Sequence, residues 1–317
     1  MISRRDALSV TAASLAAATA TAAGVQTRPF GKTGARVPVI AMGCGESWWK
    51  ALNDEQKCIE AVTLALDIGI SYLDTGQTYG KGISETWLGK AIESRRKEVF
   101  LSTKISTRDP EEAKRETERC LSRLRTTWVD VIHIHNLAGQ EDLARIEKPG
   151  GLLDFVRKLR EQKVARFIGV TSHSQPDVLR TAIERHDFDC TQMALNAAQQ
   201  GAYETTSRPG NSFATIALPA AVKKGIAVIA MKSTGRNSLV GSTSELASGE
   251  ELIRYTLSLP VATAVVGMAD ANHIRQNAAL ARTFQPMPEA EMLSLATRMA
   301  KLHKARLDRH FHDHRDA

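Results

Sequence analysis

The sequence predicts an α/β fold of the (β/α)8 type, a TIM barrel. Three observations predict it. Eight short apolar runs recur along the 317 residues. Each is followed by a longer stretch with helical spacing. No Ser/Gly-rich linker divides the chain, so the eight units share one domain. Continuous Val/Ile/Leu runs suit parallel strands buried on both faces, and α-crossovers suit a parallel sheet. Eight such units close into a barrel.

The elements follow in order. After Gly24, two extended runs, Gln26–Phe30 and Val37–Met42, flank the turn Gly31-Lys32-Thr33-Gly34. The strands of the barrel are expected at Val37–Met42, Tyr72–Asp74, Val99–Thr103, Val129–His135, Phe167–Thr171, Thr191–Leu195, Ala227–Met231 and Thr263–Val266. Helices are expected near 54–67, 84–93, 110–124, 151–161, 176–185, 214–224, 249–258 and 271–281. Asp109-Pro110 opens one helix with a capping carboxylate and a proline at the first position. Lys224-Gly225 closes another with glycine just past the last turn.

Composition excludes several classes. Hydrophobic residues are 43% and charged residues 24%, ordinary globular usage that argues against disorder. No run of 18 strongly apolar residues offers a conventional membrane span. The net charge is +7, but the basic residues are scattered and aromatics are only 5%, unlike the concentrated basic stripe with stacking rings of a nucleic-acid binder. The four cysteines, Cys44, Cys58, Cys120 and Cys190, form no CxxC pair, which argues against a zinc ribbon, a thioredoxin motif or an iron–sulfur run.

The first residues differ from the rest. Ser3-Arg4-Arg5-Asp6-Ala7-Leu8 precedes an Ala/Ser/Thr-rich stretch, and Ala18-Thr19-Ala20 and Ala20-Thr21-Ala22 offer small-x-small cleavage sites. This is the pattern of a secretory signal over 1–23, and the arginine pair points to the twin-arginine route. The expected organisation is signal 1–23, then a barrel over 24–317 with a His-rich tail from about 300. The expected location is the periplasm, with the twin-arginine translocase as partner during export. Removing 1–23 takes away two arginines and one aspartate and leaves a charge of about +6. His303, His310, His312 and His314 with Asp313 read as a solvated, mobile tail rather than a metal site.

Functional groups of such barrels lie at the C-terminal ends of strands. The second strand ends at Asp74, followed by Thr75-Gly76-Gln77-Thr78-Tyr79-Gly80. The third ends in Ser102-Thr103-Lys104 and the fourth in Ile134-His135-Asn136. A carboxylate, a phenol, an ammonium and an imidazole thus converge at one mouth. A phenol near pKa 10 is a poor acid at neutrality, and an adjacent ammonium favours its ionised form. A carboxylate behind the lysine holds it charged. Tyr79 then serves as general acid/base for a carbonyl–alcohol interconversion, with His135 donating alongside. No side chain supplies a hydride, so a nicotinamide cofactor is implied. No metal constellation appears at the strand ends.

The segments Tyr72–Gly80, Phe100–Lys104, Val129–His135, Ile168-Gly169-Val170-Thr171-Ser172, Gln192–Asn196 and Val265–Asn277 resemble the aldo-keto reductase family. The resemblance runs from about 26 to about 285. A finer resemblance is to a bacterial branch that often carries a twin-arginine signal. It rests on Asp189-Cys190-Thr191-Gln192-Met193, Ala230-Met231-Lys232-Ser233 and Leu257-Ser258-Leu259-Pro260. The family resemblance implies Asp74, Tyr79, Lys104 and His135 as a catalytic tetrad; His133, two residues before His135 with the same facing but deeper in the barrel, reads as structural. It implies an N-terminal β-hairpin capping the barrel bottom. It implies cofactor contacts from Gly43, Thr171, Ser172, Gln192, Met231, Lys232, Ser233, Gly267, Met268, His273, Gln276 and Asn277. Three positions depart from the family pattern. Ser172 replaces the usual Asn, and Met231 replaces a stacking Tyr. Gly267, Met268 and His273 stand where NADP-preferring members place Lys, Ser and Arg. NADP is expected, with NAD possible. Trp48 and Trp49, after the first strand, are expected as walls around an apolar substrate. Two readings follow: an exported carbonyl reductase acting on a small molecule, or a cofactor-holding barrel that senses redox state or serves a partner.

Overall fold

A computed structural model describes residues 24–205, 208 and 210–312. The expected signal over 1–23, with Asp313 and His314, lies outside the described residues.

The chain opens with a hairpin of two antiparallel strands, β1 (Thr27–Pro29) and β2 (Arg36–Pro38), in which Arg28 faces Val37. Phe30, at the turn, is fully buried. Its ring meets Phe100 edge-on at 5.0 Å and lies 5.6 Å from Phe167. Both partners sit near the starts of their strands, so the hairpin plugs the barrel bottom.

The barrel is closed. Its parallel strands are β3 (Ile40–Gly43), β4 (Tyr72–Asp74), β5 (Phe100–Ile105), β6 (Val129–Ile134), β7 (Ala165–Ser172), β8 (Cys190–Ala194), β9 (Ala227–Met231) and β10 (Thr263–Gly267), and β10 pairs back onto β3. The single run Val37–Met42 is divided between hairpin and barrel. β2 ends at Pro38, the Val39 N–H still donates to the Gln26 carbonyl at 2.9 Å, and β3 begins at Ile40.

The helices are α1 (Glu46–Leu52), α2 (Glu55–Asp67), α3 (Ile83–Ile92), α4 (Pro110–Arg123), α5 (Gln140–Ile146), α6 (Leu152–Glu161), α7 (Pro176–Arg185), α8 (Ala217–Lys224), α9 (Gly249–Ser258), α10 (Ala271–Thr283) and α11 (Glu289–His312). Asp54, Asp109, Ser248 and Asp270 cap α2, α4, α9 and α10 by accepting from backbone N–H groups of the first turn. Gly225 ends α8 in the left-handed conformation. Among the described residues, no helix is long and apolar enough to cross a membrane.

The expected solvated tail is corrected. Through His312 it is the last part of α11. Leu295, Met299, His303, Leu307 and Phe311 recur every fourth residue and are all buried. The four apolar ones pack on a second core with Ala197, Ala198, Leu239 and Tyr255. Asp308 accepts from the Gly201 N–H at 2.7 Å, and His303 Nε2 lies 2.6 Å from the Glu245 carbonyl. The histidines conceal an amphipathic stripe.

Gly31 carries a first prediction. It has φ +56°, and a Cβ there would fall 2.5 Å from the Ala227 nitrogen and 2.8 Å from the Gly225 oxygen. Left-handed strain alone costs roughly 1–3 kcal/mol for a non-glycine residue. Gly31→Ala should therefore lower the denaturant midpoint by at least that much, with activity per folded molecule unchanged. Equal midpoints would refute the role of this turn.

Candidate active site

Four of the strand ends assemble one polar cluster. Asp74 closes β4 and Lys104 lies in β5; their side chains are almost fully buried and 2.8 Å apart, Nζ to Oδ2. The Lys104 ammonium also donates to the Thr75 carbonyl at 2.6 Å. Asp74 accepts from Ser102 Oγ at 2.5 Å and from Gln192 Nε2 at 3.3 Å. The carboxylate is thus fully engaged, which a buried charge requires.

Tyr79 follows β4 in a tight turn. Gly80, Lys81 and Gly82 all take positive φ, at 59°, 55° and 96°. This swings the ring back over the strand ends. Lys104 Nζ lies 4.8 Å from the Tyr79 ring centroid. Gly76 lies against the pair: a Cβ there would be in ordinary contact, 3.4 Å from the Tyr79 ring and 3.5 Å from the Lys104 stem. His135, just past β6, has its ring centroid 6.4 Å from that of Tyr79. Its Nδ1 is 3.5 Å from Ser106 Oγ. Arg108 donates to the His135 carbonyl at 2.6 Å and grips Asp142 through two parallel 2.8 Å bonds, fixing the backbone from which the imidazole projects. His173, a residue sequence reasoning passed over, lies edge-on to His135 at 5.9 Å.

His133 pairs in register with Lys104, deeper in the barrel. It is fully buried, and burial, with the nearby ammonium, pushes its pKa down to about 3. It is therefore a neutral interior group at any working pH. The four cysteines are buried free thiols, and burial raises each thiol pKa, that of Cys58 to about 11. They are poor thiolates.

A cavity of about 540 Å³ opens beside the cluster and reaches Asp74 and Tyr79. Of the residues expected to hold a cofactor, Gly43, Gln192, Met231, Lys232, Ser233, Gly267 and His273 line it. The other five do not. Met268 is fully buried in the core. Thr171 is fully buried, and Ser172 is turned to the backbone, donating to the Leu137 carbonyl. On α10, Gln276 is exposed and Asn277 buried, both off the cavity wall. The tryptophans are also corrected. Trp48 is fully buried in the core, because α1 turns it inward, and Trp49 packs on Gly80 rather than on the cavity. The residues missed are Glu46, Ser47 and Lys50 of α1 and Thr234, Arg236 and Asn237 after β9. Arg236 pairs with Glu46 across the mouth. Their signal was weak: short polar stretches directly after strand ends.

Barrel, strand-end cluster and adjoining cavity define an α/β-barrel enzyme architecture. Residues 40–251 match the Aldo/keto reductase family model. The chain belongs to the aldo/keto reductase family. It is 22% identical over 283 residues to YqkF of Bacillus subtilis, an uncharacterised oxidoreductase, covering 79% of this chain and 89% of that one. It is 32% identical over 171 residues to the Bacillus subtilis aldo-keto reductase YhdN, about half of each chain (49% and 50%). Among solved structures, a holo-form aldo-keto reductase from Bacillus halodurans superposes with a TM-score of 0.68 at 21% identity, over 89% of this chain and 97% of that one. An aldo-keto reductase from Klebsiella pneumoniae in complex with NADPH gives 0.67 at 21% identity, over 88% and 97%.

Proposed function

We propose that this protein reduces an aldehyde or ketone to an alcohol with NADPH, Tyr79 acting as the general acid. The observation that carries this is the buried Lys104–Asp74 pair beside Tyr79 at the floor of the cavity. The cavity residues suit a dinucleotide. Gln192 Oε1 and Ser233 Oγ are buried without a hydrogen-bond partner among the described residues. Gly43 and Gly267 line one wall, and Ser47 Oγ approaches Gly267 so closely that a Cβ there would fall 2.1 Å from it. Lys50, Lys232 and Arg236 supply positive charge to phosphates. NADPH and NADP complexes of Klebsiella relatives support the phosphorylated cofactor over NAD.

When bound, the reduced nicotinamide supplies the hydride. The protein's own residues handle the proton. Asp74 and the Thr75 carbonyl fix the Lys104 ammonium beside the phenol. Its charge eases release of the Tyr79 proton to the carbonyl oxygen as negative charge develops there. His135 donates a second hydrogen bond and orients the carbonyl. The near-complete burial of Lys104 and Asp74 keeps water from screening these charges.

Mixing the protein with NADPH and a panel of aromatic and aliphatic aldehydes and ketones tests the reading. Carbonyl-dependent loss of absorbance at 340 nm is expected; no turnover with any carbonyl of the panel would sink it, whether or not NADPH binds. Lys232→Met should weaken NADPH binding about tenfold, the loss of one charge-assisted contact, and flatten its salt dependence. A fluorescence titration at two salt concentrations measures this. Unchanged affinity would remove Lys232 from the cofactor site.

The twin-arginine sequence supports a further proposal: export to the periplasm with cofactor already bound, because that route carries folded proteins. Native mass spectrometry of protein purified from periplasm should show the dinucleotide mass; apo protein of weak affinity would count against it.

A further inference from the structure

On α4, Ala113, Glu116, Thr117 and Cys120 face inward. Three of these suit a packed face, and Glu116 does not. The residue is only 6% exposed, and burial pushes its carboxyl above the usual carboxylate range. A leucine would fill such a place without desolvating a charge. What the carboxylate adds is a bridge. Oε1 accepts from Gln77 Nε2 at 3.0 Å, and Oε2 accepts from the Ser106 and Thr107 N–H groups at 3.0 and 3.4 Å. Gln77 lies two residues before Tyr79. Ser106 lies two residues after Lys104, and its hydroxyl is the group 3.5 Å from His135 Nδ1. One carboxylate therefore ties the turn bearing Tyr79 to the loop that leaves Lys104 and touches His135. The turn's own bonds are local, Tyr79 N–H to the Gly76 carbonyl and Lys81 N–H to the Thr78 carbonyl, both 3.0 Å. They shape the turn; its first residue is tied to β5, Thr75 N–H donating to the Ser102 carbonyl at 3.0 Å and Lys104 Nζ to the Thr75 carbonyl at 2.6 Å, and Glu116 adds a tie further along, at Gln77.

We propose that Glu116 is a positioning residue that holds the Tyr79 turn in register with Lys104 and Ser106. The rate arm of its test rests on the carbonyl reduction proposed above; the exchange arm does not. In the NADPH-bound protein, Glu116→Leu should lower kcat about 10- to 100-fold, the scale of an ångström-sized misplacement, with NADPH Kd within twofold. Amide exchange over 76–82 and 105–108 should quicken about tenfold at the same time, as a local opening made easier. Gln77→Leu, which leaves the backbone bonds to Glu116 in place, should move both readouts the same way by about half as much on a logarithmic scale. Glu116→Gln should restore most of kcat, because the introduced amide still accepts from Ser106 and the Gln77 amide can turn to pair with it. Unchanged exchange in both leucine variants overturns the proposal, and so does faster exchange with unchanged kcat. If Glu116→Leu does not fold, Gln77→Leu decides. If the wild-type protein reduces no carbonyl, the function reading fails and the exchange arm alone decides this one.

Discussion

Tyr79→Phe is expected to reduce carbonyl turnover by about 10²- to 10⁴-fold, the contribution of a positioned general acid. NADPH affinity should stay within about twofold, since the change removes one oxygen and leaves the ring in its place, a perturbation well under 1.4 kcal/mol for the cofactor. Tyr79 is well suited to isolate the proton from the hydride. Its ring is packed between Gly45 and Gly76, where added Cβ atoms would lie 3.7 and 3.4 Å away, so phenylalanine fits the same place. The folded state should be barely changed. Stopped-flow measurement at saturating NADPH reads the loss directly. Should His135 be the acid instead, Tyr79→Phe would fall by less than tenfold and His135→Phe by far more. That result would reassign the proton without touching the fold.

Much of the molecule was legible because its parts carry strong local signals. The strand run Ala227–Met231 and the helices over 176–185 and 249–258 are found with those bounds, since Pro176 opens one helix and Ser248 caps another. The cluster Asp74, Tyr79, Lys104 and His135 was legible from one rule, that strand ends face the same mouth. What escaped depends on tertiary phase. Trp48 follows a strand end and was expected at the pocket, but α1 intervenes and turns it into the core. Met268 and Ser172 lie within the right segments, yet their side chains point into core and backbone. Glu116 was overlooked because α4 is otherwise strongly charged, with Glu111, Glu112, Lys114, Arg115, Glu118 and Arg119 around it. Only its phase, three after Ala113 and four before Cys120, marks it as inward. The same holds for α11, whose four-residue repeat runs through His303 and was masked by polar neighbours.

Lys104→Met should have two effects that separate chemistry from stability. Turnover should fall at least as far as in Tyr79→Phe, because the phenol loses the charge that makes it a competent acid. Stability should fall by about 3–5 kcal/mol, the usual result of stripping one partner from a buried ion pair. For a chain of this size that is a drop in Tm of roughly 5–8 °C. The reason lies in what is left: Asp74, almost fully buried, retains the Ser102 and Gln192 bonds but no cation. Adding Asp74→Asn to Lys104→Met removes that orphaned charge, so the double variant should regain most of the lost Tm. It should regain none of the turnover. Calorimetry and a 340 nm assay on Lys104→Met, Asp74→Asn and the double variant complete the cycle. A single variant as stable as wild type would mean the pair does not hold the barrel top together. Recovered turnover in the double variant would mean that the ammonium is dispensable, and the proton-transfer scheme built on it would fail.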